Sequence, residues 1–220
     1  MLDKFLEGGL QPGNITLIYG EPETGKTTLA IQCAVNTARL GCKTIFIDSD
    51  IAFSPERLSQ IAGGDLEDVS TSIILIRPVS FTDQGDTIDN LEKYLTERFG
   101  LVAIDTITSL YRSELGNSKE TFTLNRELNR QVAALAEIAK AHEISILLSS
   151  QVRSVLTAQV VEVTPVATRV LKFWSNFVIS LKPTMQKNVI LARVEKPARR
   201  GLKCHLLIQE DGIHEYSRRI

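Results

Sequence analysis

No surplus of either charge distinguishes this chain. Its 220 residues carry 25 Lys and Arg against 26 Asp and Glu, with an isoelectric point near 6.3. No global basic field draws it to nucleic acid, so any such contact must be local. Cysteine is scarce: Cys33, Cys42 and Cys204 form no CxxC pair, and His142, His205 and His214 are too scattered to complete a zinc site. Reduced thiols in a reducing compartment are the expectation. The opening MLDKFLEGGLQPGN lacks an apolar run after a basic stretch, and no segment has the roughly 18 apolar residues of a bilayer span. A soluble, cytoplasmic protein with no membrane association is expected. There is no internal repeat, low-complexity tract or Pro/Gly linker either, which points to one domain over 1–220. With 43% hydrophobic residues, a chain of this length can bury about 70% of its unfolded surface without disulfide or metal staples.

Short β-branched runs alternate with longer segments of helical period, the pattern of an α/β fold with a mostly parallel sheet. Strands are expected at 15–20, 43–48, 72–77, 101–105 and 144 to about 152. Helices are expected over 26–41, ending at Gly41, over 55–64, opening with Pro55, and over about 82–98 and 119–142. In the longest of these, Leu124, Leu128, Val132, Leu135 and Ile138 keep the spacing of a core face. The stretch 152–165 has no helical stripe and ends at Pro165, so it reads as a mobile loop with weak strand character. Beyond it the style changes to a short helix and then strands joined by turns, with Asp211-Gly212 a hairpin signal. An antiparallel extension of the sheet follows from that.

Gly20-Glu21-Pro22-Glu23-Thr24-Gly25-Lys26-Thr27 matches GxxxxGK[ST] between an expected strand and an expected helix, the context that makes the pattern a phosphate site. Such a loop turns backbone N–H groups and a helix amino end toward triphosphate oxygens. Gly20 and Gly25 permit the path, Lys26 reaches the β and γ phosphates, and the Thr27 hydroxyl ligates Mg²⁺; Thr28 completes the expected ATP contacts. The metal needs a carboxylate, and LVAID supplies Asp105 at the carboxyl end of a buried strand, where α/β sheets place ligands. Thr106 follows it, so no adjacent glutamate polarises water. Asp48 and Asp50 end the second strand on the same sheet edge, and Asp50 is the better candidate for the base.

LDKFLEGGLQPGNITLIYGEPETGKTTLA, FIDSDIAFSPERL, VAIDTITSLYRSE, SILLSSQV and the closing EDGIHEY resemble, in order and spacing, the RecA-like recombinase core, in particular short relatives of the RadA strand-exchange recombinases. The resemblance covers nearly the whole chain. It implies a RecA-like P-loop NTPase fold: a mostly parallel sheet flanked by helices, with a C-terminal antiparallel extension. It further implies that the strand ending at Gln151 lies between those carrying Gly20 and Asp105, so that Gln151 senses the γ phosphate and signals to the loop that follows. That loop, 152–165, takes the position of the second DNA-binding loop, and Arg112 to Lys119 the first.

The chain departs from the resemblance in two places. Full-length recombinases carry an N-terminal DNA-binding domain and an aromatic docking motif, whereas this chain starts just before the core, so autonomous filament growth is not expected. The family's water-activating glutamate aligns with Ser49-Asp50-Ile51, and the shorter aspartate withdraws the carboxylate by roughly 1.5 Å, a scale on which rates fall around 100-fold. Weak hydrolysis is therefore expected. Lys196, Arg199 and Arg200 sit where related ATPases place cations that reach a neighbouring subunit's γ phosphate, which would need a homo-oligomer.

The resemblance implies a DNA repair and homologous recombination accessory protein. It would bind ATP, Mg²⁺ and DNA, single-stranded DNA foremost, and modulate a RadA-type recombinase; a Holliday junction resolvase is a further possible partner. Arg112, Lys119 and Arg153 are the expected DNA contacts, with Arg169 and Lys172 as further local cations, while Phe173 and Trp174 read as core. A KaiC-like regulatory ring ATPase without DNA binding and a small-molecule P-loop kinase remain the alternatives.

Overall fold

The structure, a computed structural model, describes residues 6, 8–96, 98–116, 118–157, 160–197 and 202–216, with backbone only for 118–120 and 153–165. Nine strands form one sheet in the order β11-β10-β9-β8-β1-β5-β4-β2-β3. The central ones are β1 (Ile15–Gly20), β5 (Ser145–Ser150), β4 (Phe99–Asp105) and β2 (Lys43–Asp48), with β3 (Ile73–Ile76) at the edge. β1 and β5 are buried along their whole length, as a sheet covered on both faces requires. β8 (Phe177–Pro183) pairs parallel with β1, after which β9 (Val189–Lys196), β10 (Lys203–Gln209) and β11 (Gly212–Glu215) run antiparallel. The sheet thus matches the RecA-like α/β expectation, antiparallel extension included.

Two helical layers cover the sheet. On one face α1 (Lys26–Arg39), α2 (Pro55–Ala62) and α3 (Leu66–Thr71) bury Leu29, Ile31, Val35, Leu58 and Val69 against Ile18, Phe46 and Ala103. On the other, α4 (Phe81–Asp89), α5 (Ser109–Ser113), α6 (Ser118–His142) and α7 (Thr168–Trp174) cover Leu17, Ile45, Val102 and Leu148. α1 ends at Leu40 with Gly41 at φ +79°, the left-handed conformation expected of that glycine. Ser54 caps α2, accepting from Arg57 N at 3.1 Å.

Two expectations are corrected. The helix over 82–98 stops at Asp89, where both the backbone N–H and the side-chain Nδ2 of Asn90 bond the Asp86 carbonyl and so satisfy the helix end locally. A single 3₁₀ turn, Leu91–Lys93, then carries Leu91 into the core. The stretch 152–165 is not a loop. It forms a separate antiparallel pair, β6 (Val152–Thr157) and β7 (Val160–Pro165), in register from Val152↔Pro165 to Thr157↔Val160. Five of its residues are valine, a composition that favours pairing over coil once two such runs can fold back on each other.

Candidate functional site

The carboxyl ends of β1, β5, β4 and β2 lie side by side, with Asp48 in register with Asp105 and Tyr19 with Ser150. Everything expected of the nucleotide edge leaves the sheet here. Gly20 ends β1 where no side chain fits: a Cβ would stand 2.5 Å from the Leu181 carbonyl and 2.7 Å from Thr24 Oγ1. Glu23 and Gly25 take positive φ, +64° and +81°, folding the loop under the amino end of α1. The buried Thr24 braces it by donating to the Glu21 carbonyl at 2.8 Å. α1 begins with neither a capping side chain nor an acidic residue in its first turn, so its partial positive charge is left for an anion. Lys26 Nζ lies over the loop's own carbonyls, 3.0 Å from that of Gly20 and 2.8 Å from that of Glu21. Burial pulls the Lys26 ammonium below its usual range, opposed by Asp105, Asp50 and Glu21.

Asp105 is fully buried, which pushes its carboxyl above the usual range, opposed by the nearby hydroxyls of Ser149 and Thr27. Ser149 Oγ donates to Oδ1, whereas Oδ2 has no protein partner among the described residues. A buried carboxylate oxygen left unpaired is costly. Beside a hydroxyl and a lysine that follow a glycine loop, that oxygen suits a hard divalent cation, so the residues present fit the magnesium nucleotide that the motif implies.

The other carboxylates divide by role. Asp48 is fully buried and spent on structure: Oδ1 accepts from Ala52 N at 2.9 Å, and Oδ2 from Phe53 N at 3.2 Å and Arg77 Nε at 3.0 Å. Asp50 is exposed. It accepts from Ser109 Oγ at 2.6 Å and from Gln151 Nε2 at 3.3 Å, and its N–H bonds the Asp105 carbonyl at 3.2 Å. Gln151 Oε1 in turn accepts from Arg112 Nη1. Ser109 and Arg112 sit one turn apart on α5, so Asp50, Gln151 and Arg112 form a continuous chain across the strand ends. The Gln151 backbone is held by Thr108 Oγ1 at 3.2 Å, and its carbonyl accepts Val166 N at 3.0 Å, which pins both ends of the β6–β7 hairpin to one residue.

The side chains of Lys119 and Arg153, and the whole of Arg199 and Arg200, lie outside the described residues. Lys196 donates to the carbonyls of Lys172 and Phe173 at 3.1 and 3.4 Å, a cation on the carboxyl end of α7. Lys172 is taken up by Glu195 at 2.6 Å and lies 5.3 Å from the centre of the Tyr19 ring. Tyr19 Oη also donates to Glu195 at 2.6 Å. Arg169 is exposed. The reading of Phe173 as core is corrected: it is 72% exposed, because Leu171 alone of the seven α7 residues is buried. Trp174 is half-buried, donating to Asn129 Oδ1 at 3.0 Å and meeting Phe173 edge-on at 5.2 Å. Sequence reasoning passed over Arg77, Ser109 and Ser149. The signal for the two serines was their place beside strand ends, and for Arg77 an arginine closing the edge strand.

None of the three cysteines is in a disulfide, and no cluster of three His, Cys, Asp or Glu that would hold a metal occurs among the described residues. No helix among them is long and apolar enough to cross a membrane.

Comparison with known proteins gives the same architecture a lineage. The Rad51 family model matches residues 1–216. A DNA repair and recombination protein RadB of Methanococcus maripaludis strain C7 is 32% identical over 214 residues, 97% of each chain. Its counterpart in Methanothermobacter thermautotrophicus is 34% identical over 185 residues, 82% of this chain and 78% of that one. A crystal structure of a RadB recombinase superposes with a TM-score of 0.83 at 33% identity, covering 98% of this chain and 96% of that one. On the glycine loop, the strand order and these likenesses together, the chain belongs to the Rad51 family of RecA-fold proteins, within its archaeal RadB branch.

Proposed function

We propose that this chain is an ATP-binding accessory protein of DNA repair and homologous recombination that hydrolyses ATP weakly, binds DNA and modulates a RadA-type recombinase. The observation that carries the reading is the chain Asp50–Gln151–Arg112. One end lies on the nucleotide edge and the other on the first expected DNA segment, and Gln151 anchors the hairpin that forms the second.

Residues 20–28 would cradle the triphosphate, with Lys26 turning from the loop carbonyls to the β and γ oxygens. Thr27 and the unpaired oxygen of Asp105 would hold Mg²⁺, directly or through water. When bound, the metal neutralises charge developing on the phosphates. Asp50 would take the proton of the attacking water, and Gln151, released from Asp50, would donate to the γ phosphate. On the DNA side, Arg112, Lys119 and Arg153 supply the cations. A near-neutral chain then binds DNA modestly and with marked salt dependence. The RadB names of the relatives support repair and recombination as the setting. The RadA-type recombinase, a Holliday junction resolvase and a second copy of the chain bridged by Lys196, Arg199 and Arg200 are the partners this reading proposes.

The experiment is a titration of labelled single-stranded DNA with and without ATP·Mg²⁺ at two salt concentrations, with calorimetry of ATP·Mg²⁺ alone. The expected result is nucleotide heat and a DNA affinity that falls with salt and responds to nucleotide. Absence of nucleotide heat refutes the site, and DNA binding indifferent to nucleotide refutes the coupling.

A further inference from the structure

Gln84 on α4 and Gln131 on α6 are both fully buried amid the packing of Phe81, Leu128 and Val132. Two carboxamides in such surroundings are costly unless every polar atom is paired, and here every one is. Gln84 Oε1 accepts from Ser49 Oγ at 2.8 Å, and its Nε2 donates to Gln131 Oε1 at 2.9 Å and to the Ile107 carbonyl at 3.3 Å. Gln131 Nε2 donates to Glu127 Oε1 at 3.0 Å and to the Phe81 carbonyl at 3.3 Å. Arg130 grips Glu127 with Nε at 2.8 Å and Nη2 at 2.7 Å, and reaches Asp89 with Nη1 at 2.7 Å.

The direction of this chain is set from its surface end. An ionised carboxylate only accepts, and the Arg130 guanidinium holds the Glu127 carboxyl below its usual range. Gln131 must therefore turn its NH₂ toward Glu127 and its oxygen toward Gln84. Gln84 must then turn its NH₂ toward Gln131 and its oxygen toward Ser49, whose hydroxyl is left to donate. Flipping either amide sets donor against donor or acceptor against acceptor. The backbone makes room for the chain: a Cβ on Gly85 would stand 2.9 Å from Glu127 Oε1 and 3.0 Å from Gln131 Nε2. A glycine thus occupies the interior of α4 although alanine is the better helix former there.

The inner end of the chain grips both acidic strand exits. Ser49 stands between Asp48 and Asp50 as β2 leaves the sheet, and Ile107 lies two residues beyond Asp105 as β4 does. We propose that Gln84 is a positioning residue for the nucleotide edge: its carboxamide, oriented through Gln131 from Glu127, sets the spacing between the segments that carry Asp50 and Asp105. This role rests on the reading that the edge hydrolyses ATP with Asp50 as base. Gln84 is fully buried and acts through Ser49 and Ile107.

The test is steady-state ATP turnover of the wild type, Ser49→Ala and the paired variant Gln84→Leu/Gln131→Leu. The pair removes both amides together, so neither is left facing the other unpaired, but it also withdraws bonds from Ser49 Oγ, Glu127 and the Ile107 and Phe81 carbonyls, and thermal melting checks that it is folded. The expected result for the folded pair is a kcat lowered by about 10- to 100-fold, the scale of an ångström misplacement, with KM for ATP changed by less than about 2-fold. Adding Ser49→Ala to the pair slows it no further, since both act on one path. A folded pair with wild-type kcat, or one in which KM alone rises, overturns the proposal while leaving the hydrolysis reading intact. A wild type with no turnover at all overturns that reading, and this role with it.

Discussion

Asp48 and Asp50 are two residues apart at the end of one strand, yet neutralising them should have opposite consequences. Asp48→Asn replaces one carboxylate oxygen with an NH₂. The side chain accepts from Ala52 N at 2.9 Å, Phe53 N at 3.2 Å and Arg77 Nε at 3.0 Å, so one amide hydrogen must face a donor whichever way the group turns. The loss combines a charge-assisted bond to Arg77, about 1.5–3 kcal/mol, with a buried N–H left unpaired, about 1–3 kcal/mol. Arg77 keeps solvent access, its side chain being 46% exposed, which puts the sum toward the lower half, about 3–4 kcal/mol. For a domain of this size about 2–4 °C is lost per kcal/mol, so the melting temperature should fall by roughly 6–16 °C. Asp50→Asn keeps an acceptor for Ser109 on an exposed side chain and should change stability by less than about 1 kcal/mol. Differential scanning calorimetry of both variants decides. Equal melting temperatures would refute the assignment of Asp48 to structure and Asp50 to the site.

Asp50→Glu should raise kcat for ATP, by up to about 100-fold if the short side chain alone limits the rate; unchanged turnover would count against Asp50 as the base. Arg153→Ala should weaken single-stranded DNA binding and reduce its salt slope by about one contact, with the calorimetry of ATP·Mg²⁺ unaltered; an equal DNA affinity would remove Arg153 from the interface. The Glu127 carboxyl is held below its usual range by the Arg130 hydrogen bond. It therefore contributes stability above its unfolded pKa that is lost as pH falls through the folded value. Urea midpoints should drop faster on acidification in the wild type than in Glu127→Gln, and parallel curves would refute the linkage.

The parallel sheet was legible because its strands are short apolar runs punctuated by Gly20, Gly41 and Asp105, and the glycine loop was legible because its constraints are local. Gly20 has no room for a side chain and Gly25 has a positive φ, both demands that residue type alone meets. What escaped depended on contacts distant in sequence. The hairpin over 152–165 needs two runs to find each other, and neither has a helical stripe or a tight Asn-Gly turn to announce it. Phe173 looked like core by composition, but a seven-residue helix buries one face, and Leu171 takes it. The separate duties of Asp48 and Asp50 hang on Arg77, 29 residues from Asp48, and on Gln151, 101 residues from Asp50. The buried pair Gln84 and Gln131 was equally silent, since glutamine at a helical core position reads as a surface residue until its partners are known.

The arrangement around Gln151 bears on how two ligands would sense each other. Its amide side chain has one donor group, shared between the Asp50 oxygens, and one acceptor given to Arg112, so any anion that draws the NH₂ away from Asp50 must also rotate the oxygen that Arg112 holds. Its carbonyl meanwhile bonds Val166 N and its chain continues into Val152, so it holds both sides of the hairpin's first pair, Val152↔Pro165. A rotation of the amide that carries the backbone with it would therefore displace both expected DNA segments at once. Coupling of this kind is reciprocal: the factor by which ATP changes DNA affinity equals the factor by which DNA changes ATP affinity. On this geometry Gln151→Ala should bring that shared factor to one while leaving the binding of each ligand alone largely intact, and a factor that survives in Gln151→Ala would refute this route and expose another between the sites.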